Sequence, residues 1–267
     1  MTRIAIAGAT GRMGRALIET VLKDSSTALT GAVDRADSDL IGTDAGALVS
    51  LPATGVVIQS DLAALIDDVD VVIDFTAPDA TLRNVQLCAE KGKQIVIGTT
   101  GFDANQLELI HSAAKQVAIC LAANYSVGVN QMLSLLEQVS KTLDADTDIE
   151  IVETHHRHKV DAPSGTAIAM GQTIADARGW DFADSAVYGR HGITGARQQN
   201  TIGFSAIRAG DVVGDHTAIF ANDGERLEIT HKSSSRMSYA RGAVRAAMWL
   251  PKEATGKVYD MRDVLGI

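Results

Sequence analysis

His155, His156 and His158 stand beside Arg157 and Lys159, and the chain then runs through Val160, Asp161, Ala162 and Pro163 into Ser164, Gly165 and Thr166. Three of the protein's seven histidines and two further cations thus gather in one short segment of a chain whose formal net charge is −9. Imidazole gives and takes protons near neutral pH, and an ammonium holds a carboxylate or acts as an acid. The segment therefore has the groups to bind an anion and protonate it. The apolar run at 148–152 ahead of it predicts a strand, and Ala167, Ile168, Ala169 and Met170 behind it predict a helix. Ser164-Gly165-Thr166 falls at the helix start, where hydroxyls and unpaired backbone N–H groups receive anions, so a carboxylated substrate suits the loop. Extended like a strand, the segment would point His155, Arg157 and Lys159 one way and His156 and His158 the other. Metal binding is the rival chemistry, with Glu153 or Asp161 adding oxygen to His156 and His158. Arg157 and Lys159 put positive charge where a dication would sit, and there is no HExxH helix, so no metal is expected. His158 taken alone reads as a surface or hydrogen-bonded residue.

An anion-binding, proton-donating loop of this kind needs elements that hold it in place. At the N-terminus, the apolar strand at 3–7 leads into Gly8-Ala9-Thr10-Gly11-Arg12-Met13-Gly14 and a helix at 15–23. Glycines at 8, 11 and 14 in a strand–turn–helix context permit a tight turn, close approach of a pyrophosphate and close helix packing. A second strand at 28–33 ends in Asp34, 20 residues beyond Gly14, where a carboxylate can accept from an adenosine ribose. Arg35 follows and can receive a 2′-phosphate, so both NADH and NADPH are compatible.

Alternation then continues with strands at 56–58, 71–73, 95–97 and 117–121 and a helix at 61–66. Strands alternating with helices predict a parallel sheet covered on both faces. The loops Phe75-Thr76-Ala77-Pro78, Gly98-Thr99-Thr100-Gly101 and Ala123-Asn124-Tyr125-Ser126 should share the carboxyl edge of that sheet with the glycine turn, which is where open α/β sheets bind ligands. After a helix at 128–143 and another at 165–177 the pattern changes. The β-like runs at 202–207, 213–220 and 227–231 are joined by Ala209-Gly210-Asp211 and Asn222-Asp223-Gly224-Glu225, and predict a meander in an antiparallel or mixed sheet. A final helical pattern at 235–250 can return to the first domain. The expected fold class is therefore α/β: a Rossmann-like, doubly wound parallel sheet with an inserted α+β domain. Residues 1–125 with 235–267 would form the dinucleotide-binding domain, and 126–234 the substrate-binding domain, to which the resemblance given below adds oligomerisation.

Composition narrows the function classes. A hydrophobic content of 46% over 267 residues can bury a real core, and the acidic balance argues against a nucleic-acid partner. No apolar run reaches the roughly 18 residues of a membrane span, and no signal-peptide pattern precedes the first strand, so a cytoplasmic protein is expected. Cys88 and Cys120 lack CxxC spacing and read as buried, reduced thiols.

The series Gly8–Gly14, Asp74-Phe75-Thr76, Gly98-Thr99-Thr100-Gly101, the run from Ala123 through Val129 to Asn130, and the run from Glu153 to Ala167 resembles the 4-hydroxy-tetrahydrodipicolinate (dihydrodipicolinate) reductase family over nearly the whole chain. The resemblance implies NAD(P)H-dependent reduction of a cyclic dicarboxylate, with loss of water, in diaminopimelate and lysine biosynthesis. It implies His155 as proton donor with Lys159 as a second catalytic group, and His156, Lys159, Ser164, Gly165 and Thr166 as holders of the substrate carboxylates. It further implies that Gly8, Ala9, Thr10, Gly11, Arg12, Met13, Asp34, Arg35, Phe75, Thr76, Gly98, Thr99, Thr100, Ala123, Asn124, Tyr125 and Ser126 line the cofactor, and that the protein is a homotetramer assembled through the sheets of its second domain. The different-class alternative is a nucleotide-binding carboxylate sensor without turnover; a metal-dependent hydrolase is a third.

Overall fold

A computed structural model describes all 267 residues, which divide into two compact units: Met1–Val127 with Arg236–Ile267, and Gly128–Ser235. In the first unit, β1 (Thr2–Ala7), α1 (Arg12–Lys23), β2 (Thr27–Val33), β3 (Val71–Asp74), α2 (Pro78–Lys91), β4 (Gln94–Ile97), α3 (Ala104–Ala113) and β5 (Ile119–Leu121) follow one another. The second unit holds nearly all of α4 (Val127–Thr142), then β6 (Asp148–His155), α5 (Gly165–Arg178), α6 (Phe182–Ser185), β7 (Ala186–Val187), β8 (Ile202–Arg208), β9 (Gly214–Asn222) and β10 (Glu225–Ser233). The chain re-enters the first unit with α7 (Met237–Trp249), β11 (Val258–Tyr259) and α8 (Met261–Leu265).

The first sheet is six-stranded and parallel throughout, in the order β11-β5-β4-β3-β1-β2. Its central strands are continuous apolar runs because both faces are covered. Ile4, Ile6, Val71, Ile73 and Val96 face Leu17, Ile18 and Val21 of α1 and Ala243, Val244 and Ala247 of α7. Ala5, Ala7, Val72, Ile95 and Ile97 face Val85 and Cys88 of α2 and Ile110 of α3. Local signals set the helix ends: Pro78 opens α2, Gly92 closes it at φ +64°, and Asp103 with Gln106 forms a capping box on α3. The doubly wound expectation holds, with one local exception. Residues 62–65 form a bend and turns that lead into a 3-10 turn at Ile66–Asp68, and of 56–58 only Val57 pairs, in an isolated bridge. So short an apolar run cannot repay helix nucleation.

The second sheet is mixed, in the order β10-β9-β6-β8-β7. The expected meander is only half present. β9 and β10 form an antiparallel hairpin, but β6 lies between β8 and β9, parallel to the first and antiparallel to the second. The link at 209–213 therefore crosses over the end of β6 instead of closing a hairpin. Ala209 N–H donates to His155 O at 2.9 Å, and Arg157 N–H donates to Gly210 O at 3.1 Å. β6 buries every second residue, Ile149, Ile151, Glu153 and His155, on one face. The apolar part of that face packs with Val129, Met132 and Leu136 of α4 and Met170 and Ile174 of α5, each worth about 1.5–3 kcal/mol when fully buried.

Candidate active site

Parallel register sets the first constellation. Ala7 pairs with both Val33 and Asp74, Asp74 pairs with Ile97, and Ile97 pairs with Leu121, so these five strand ends lie in one row and their following loops share one edge. β1 sits where the strand order reverses, between β2 and β3, which is the ligand crevice of an open α/β sheet. Gly8 adopts φ +78°, and a Cβ there would approach Thr76 Cγ2 to 3.1 Å; a Cβ on Gly14 would run into the backbone of Gly8 and Ala9. These two glycines serve the turn and the close helix packing respectively. Gly11 is the N-cap of α1, in extended backbone with no side chain bonded to the first-turn amides. An uncapped, glycine-rich helix start of this shape fits a pyrophosphate, which the first-turn N–H groups would hold.

Asp34 follows directly. Its Oδ2 accepts from Thr10 N–H and Thr10 Oγ1, both at 2.7 Å, and its Oδ1 from Arg35 N–H at 2.8 Å. Partial burial raises its pKa, but these hydrogen bonds outweigh it and hold the carboxyl below its ordinary range. Asp34 thus pins the glycine turn while keeping unused acceptor capacity on Oδ1 for a ribose hydroxyl. Arg35 and Arg12 are exposed.

The other three loops are held from within. Buried Asp74 accepts from Thr76 N–H at 2.9 Å, Thr76 Oγ1 at 2.6 Å, Thr81 Oγ1 at 3.1 Å and Asn84 Nδ2 at 2.7 Å. Thr99 Oγ1 accepts from Thr76 N–H and Thr81 Oγ1. The Thr76 and Thr99 hydroxyls are therefore engaged in loop architecture, as is the Asn124 amide oxygen, which accepts from Ser126 N–H at 2.8 Å. A Cβ on Gly98 would strike the Phe75 ring, so Gly98 makes room for that ring at the edge. Tyr125 is 1% exposed; its hydroxyl donates within the core, with Ile97 O at 2.8 Å and Cys120 O at 3.0 Å as acceptors, so only its backbone can face a ligand. Thr100 and Ala123 remain exposed.

The second constellation centres on Glu153, a residue that sequence reasoning considered only as a metal ligand. It is 1% exposed. Oε2 accepts from Arg208 Nη1 at 2.8 Å and contacts His155 Nδ1 at 2.6 Å; Oε1 accepts from Arg208 Nη2 at 2.8 Å and Ser164 N–H at 3.1 Å. All four acceptor positions are filled, and Arg208 binds as a planar fork. Burial pushes the carboxyl's pKa up, but Arg208 and His155 pull it further down. Ser164 caps α5, its Oγ accepting from Ala167 N–H at 3.1 Å and meeting His216 Nε2 at 2.8 Å. The His155 and His216 rings meet edge to face with centroids 5.0 Å apart. Burial, aided by the charges of His155 and Lys159, lowers the His216 pKa to about 4.

β6 ends at His155, so the condition for strand-like alternation over 155–159 is not met. Lys159 N–H donates to His156 O at 3.1 Å, closing a turn, because the crossing link at Gly210 takes the backbone of Arg157. Lys159 is consequently brought to Asp161, with Nζ 2.8 Å from both carboxylate oxygens, and this ammonium lowers the Asp161 pKa. Arg157 and His158 are exposed, and the His156 ring lies 6.3 Å from that of His158. His156 Nδ1 is buried without a partner in the protein. Gly165 is exposed at the first turn of α5. The structure thus brings His155, Lys159, Ser164 and Gly165 into one neighbourhood and adds Arg208 and His216, which were not anticipated. His216 had a readable signal: it alternates with Ala218 and Phe220 on the buried side of β9. No group of three or more His, Cys, Asp or Glu side chains is arranged to hold a metal ion.

A glycine-turn crevice on a parallel sheet, with a second α+β unit carrying a buried histidine–carboxylate pair beside a helix start, is the architecture of a nicotinamide-dependent oxidoreductase. The chain belongs to the dihydrodipicolinate reductase family, whose N-terminal profile matches residues 2–125 and whose C-terminal profile matches residues 128–265. It is 56% identical over 268 residues, spanning 100% of both chains, to the 4-hydroxy-tetrahydrodipicolinate reductase of Pseudomonas fluorescens (strain SBW25). Among solved structures it is similar to a dipicolinate-bound dihydrodipicolinate reductase from Paenisporosarcina sp. TG-14, with a TM-score of 0.78 and 25% identity over 97% of each chain. A probable dehydrogenase from Thermotoga maritima shares the fold at a TM-score of 0.61 and 11% identity, over 98% of this chain and 92% of that one.

Proposed function

We propose that this protein reduces 4-hydroxy-tetrahydrodipicolinate to tetrahydrodipicolinate with NADH or NADPH and loss of water, in the diaminopimelate route to lysine. The observation that carries the reading is the Glu153–His155 pair beside the Ser164 helix start in a chain 56% identical over its full length to a relative of that name. The first unit holds the cofactor on the loops at Gly8–Met13, Asp34-Arg35, Phe75-Thr76, Gly98–Thr100 and Ala123–Ser126. The second unit holds the substrate.

When bound, the reduced nicotinamide supplies the hydride. The chain's own residues do the rest. His156, Lys159 and the Ser164-Gly165-Thr166 helix start hold the two carboxylates, which fixes the ring by binding energy remote from the reacting atoms. Lys159 has three ammonium donors, and Asp161 occupies two of them, leaving one for a substrate carboxylate. Departure of the substrate hydroxyl as water leaves a conjugated imine; hydride addition to it builds negative charge, which His155 protonates with Lys159 assisting. We further propose a cytoplasmic homotetramer joined through the second unit, consistent with free thiols at Cys88 and Cys120 and with exposed Ile207 and Leu227 on its sheet.

The test mixes the protein with NADH or NADPH and the condensation product of pyruvate and aspartate semialdehyde, and follows nicotinamide absorbance. Oxidation of the cofactor is expected. Its absence with both cofactors would refute the assignment.

A further inference from the structure

The buried Glu153 carboxylate stands behind His155 and gathers the polar groups around it. It lies on the core face of β6, where an unpaired charge would be severely destabilising, and four donors from three different segments converge on it. Arg208 reaches it from the end of β8, Ser164 from the start of α5, and His155 from two residues along the same strand. The other charged or titratable groups near the imidazole are His216 on β9 and Lys159 with Asp161 on the loop that follows β6. Of all these, only Glu153 contacts a His155 ring nitrogen, at 2.6 Å.

An ionised carboxylate accepts hydrogen bonds and donates none, so the Nδ1 facing it must carry a proton in both charge states of the ring. That leaves Nε2 as the atom that changes protonation. Nε2 lies on the Gly214 side: a Cβ added to that glycine would sit 3.0 Å from it, so the glycine keeps this nitrogen uncovered. The same carboxylate also binds Ser164 N–H, so one group fixes both the proton donor and the helix start assigned to substrate carboxylates.

We propose that Glu153, held by the fork of Arg208, is the positioning residue that fixes the tautomer of His155 and makes Nε2 the proton-donating atom. The inference rests on the reading of His155 as proton donor given above. It predicts that Glu153→Gln, which keeps the shape but removes the charge, makes the imidazolium less favourable. The pH above which kcat falls then moves down by about one unit, and kcat at neutral pH drops at least about tenfold. The KM for NADH or NADPH stays nearly unchanged. Glu153→Asp, which restores the charge, should return that pH limb towards its original position even if kcat stays lower.

A direct readout is made on the wild-type protein and uses a variant only to assign the signal. In the full-length protein labelled with nitrogen-15 at histidine, the neutral His155 ring, assigned by its loss in His155→Gln, should show a protonated Nδ1 and an unprotonated Nε2. A neutral ring protonated at Nε2 would overturn the proposal, as would a Glu153→Gln enzyme with reduced kcat and an unshifted pH profile. Wild-type protein that oxidises neither cofactor would overturn the reductase reading instead, while the ring-nitrogen shifts would still decide the role of Glu153.

Discussion

His216 should make the native state lose stability as the pH falls from about 6.5 to about 4, its ordinary and native values respectively. The ring is 3% exposed, its Nε2 is engaged with Ser164 Oγ, and its Nδ1 is buried with no partner. Adding a proton would place a charged N–H where nothing accepts it, and burial together with the charges of His155, His231 and Lys159 outweighs the favourable charge of Glu153. Above about pH 6.5 the ring is neutral in both folded and unfolded chains and makes no difference to the pH dependence. Between about 6.5 and about 4 the unfolded chain binds a proton that the native protein does not, so stability rises with pH across this window. The shift of roughly 2.5 units, at about 1.4 kcal/mol per unit, amounts to about 3 kcal/mol lost from the top of the window to the bottom.

The perturbation is His216→Gln, which keeps a hydrogen-bonding group near Ser164 but cannot titrate. Urea unfolding of both proteins through the window gives two stability curves. The wild-type curve should fall more steeply, with the difference between the curves growing by about 3 kcal/mol as the pH is lowered. Glu153 also has a lowered pKa, so its stabilising contribution is lost on acidification too, but below the ordinary glutamate value of 4.5, and it is present in both proteins. Parallel curves would refute the reasoning. So would a His216 ring whose proton resonance titrates near 6.5, since a buried ring without an acceptor on Nδ1 could not do so.

Three further perturbations separate chemistry from architecture. Lys159→Ala should lower turnover about a hundredfold or more while calorimetric cofactor affinity stays nearly unchanged; its partner Asp161 is exposed, so the cost in stability should be under about 1 kcal/mol. Asp34→Ala removes the anchor of Thr10 and the proposed ribose acceptor, and should raise the KM for NADH about tenfold and that for NADPH less, because Arg35 remains; equal losses would mean that Asp34 acts only through the turn. Tyr125→Phe should cost about 1–2 kcal/mol in thermal or urea unfolding and leave nucleotide affinity intact, since its hydroxyl bonds only to groups in the core.

The first unit was readable because its signals are local. Strands buried on both faces appear as unbroken apolar runs, as at Val71, Val72 and Ile73, and the spacing of Gly8, Gly11 and Gly14 reports a turn whose backbone only small residues can satisfy. Side-chain direction was less readable there. The Tyr125 hydroxyl turns inward to Ile97 O on the neighbouring strand, and the Thr76 and Thr99 hydroxyls turn inward to Asp74 and Thr81.

In the second unit the cations at 155–159 were visible, but their partners depend on strand order. Register sets Arg208 beside His155 on one flank of β6 and His216 beside Glu153 on the other. Had β8 and β9 closed the hairpin suggested by the short link between them, β6 could have bordered only one of the two. Either Arg208 would have been absent, leaving Glu153 a buried charge without its guanidinium, or His216 would have been absent from Ser164. Insertion of β6 between them satisfies both, and it also lays the link at 209–213 across the strand end, where it bends the histidine segment into the turn that carries Lys159 to Asp161. A short connection is therefore no guide to pairing when a third strand carries a buried carboxylate that takes its guanidinium from one flank and lies beside a helix cap bonded from the other.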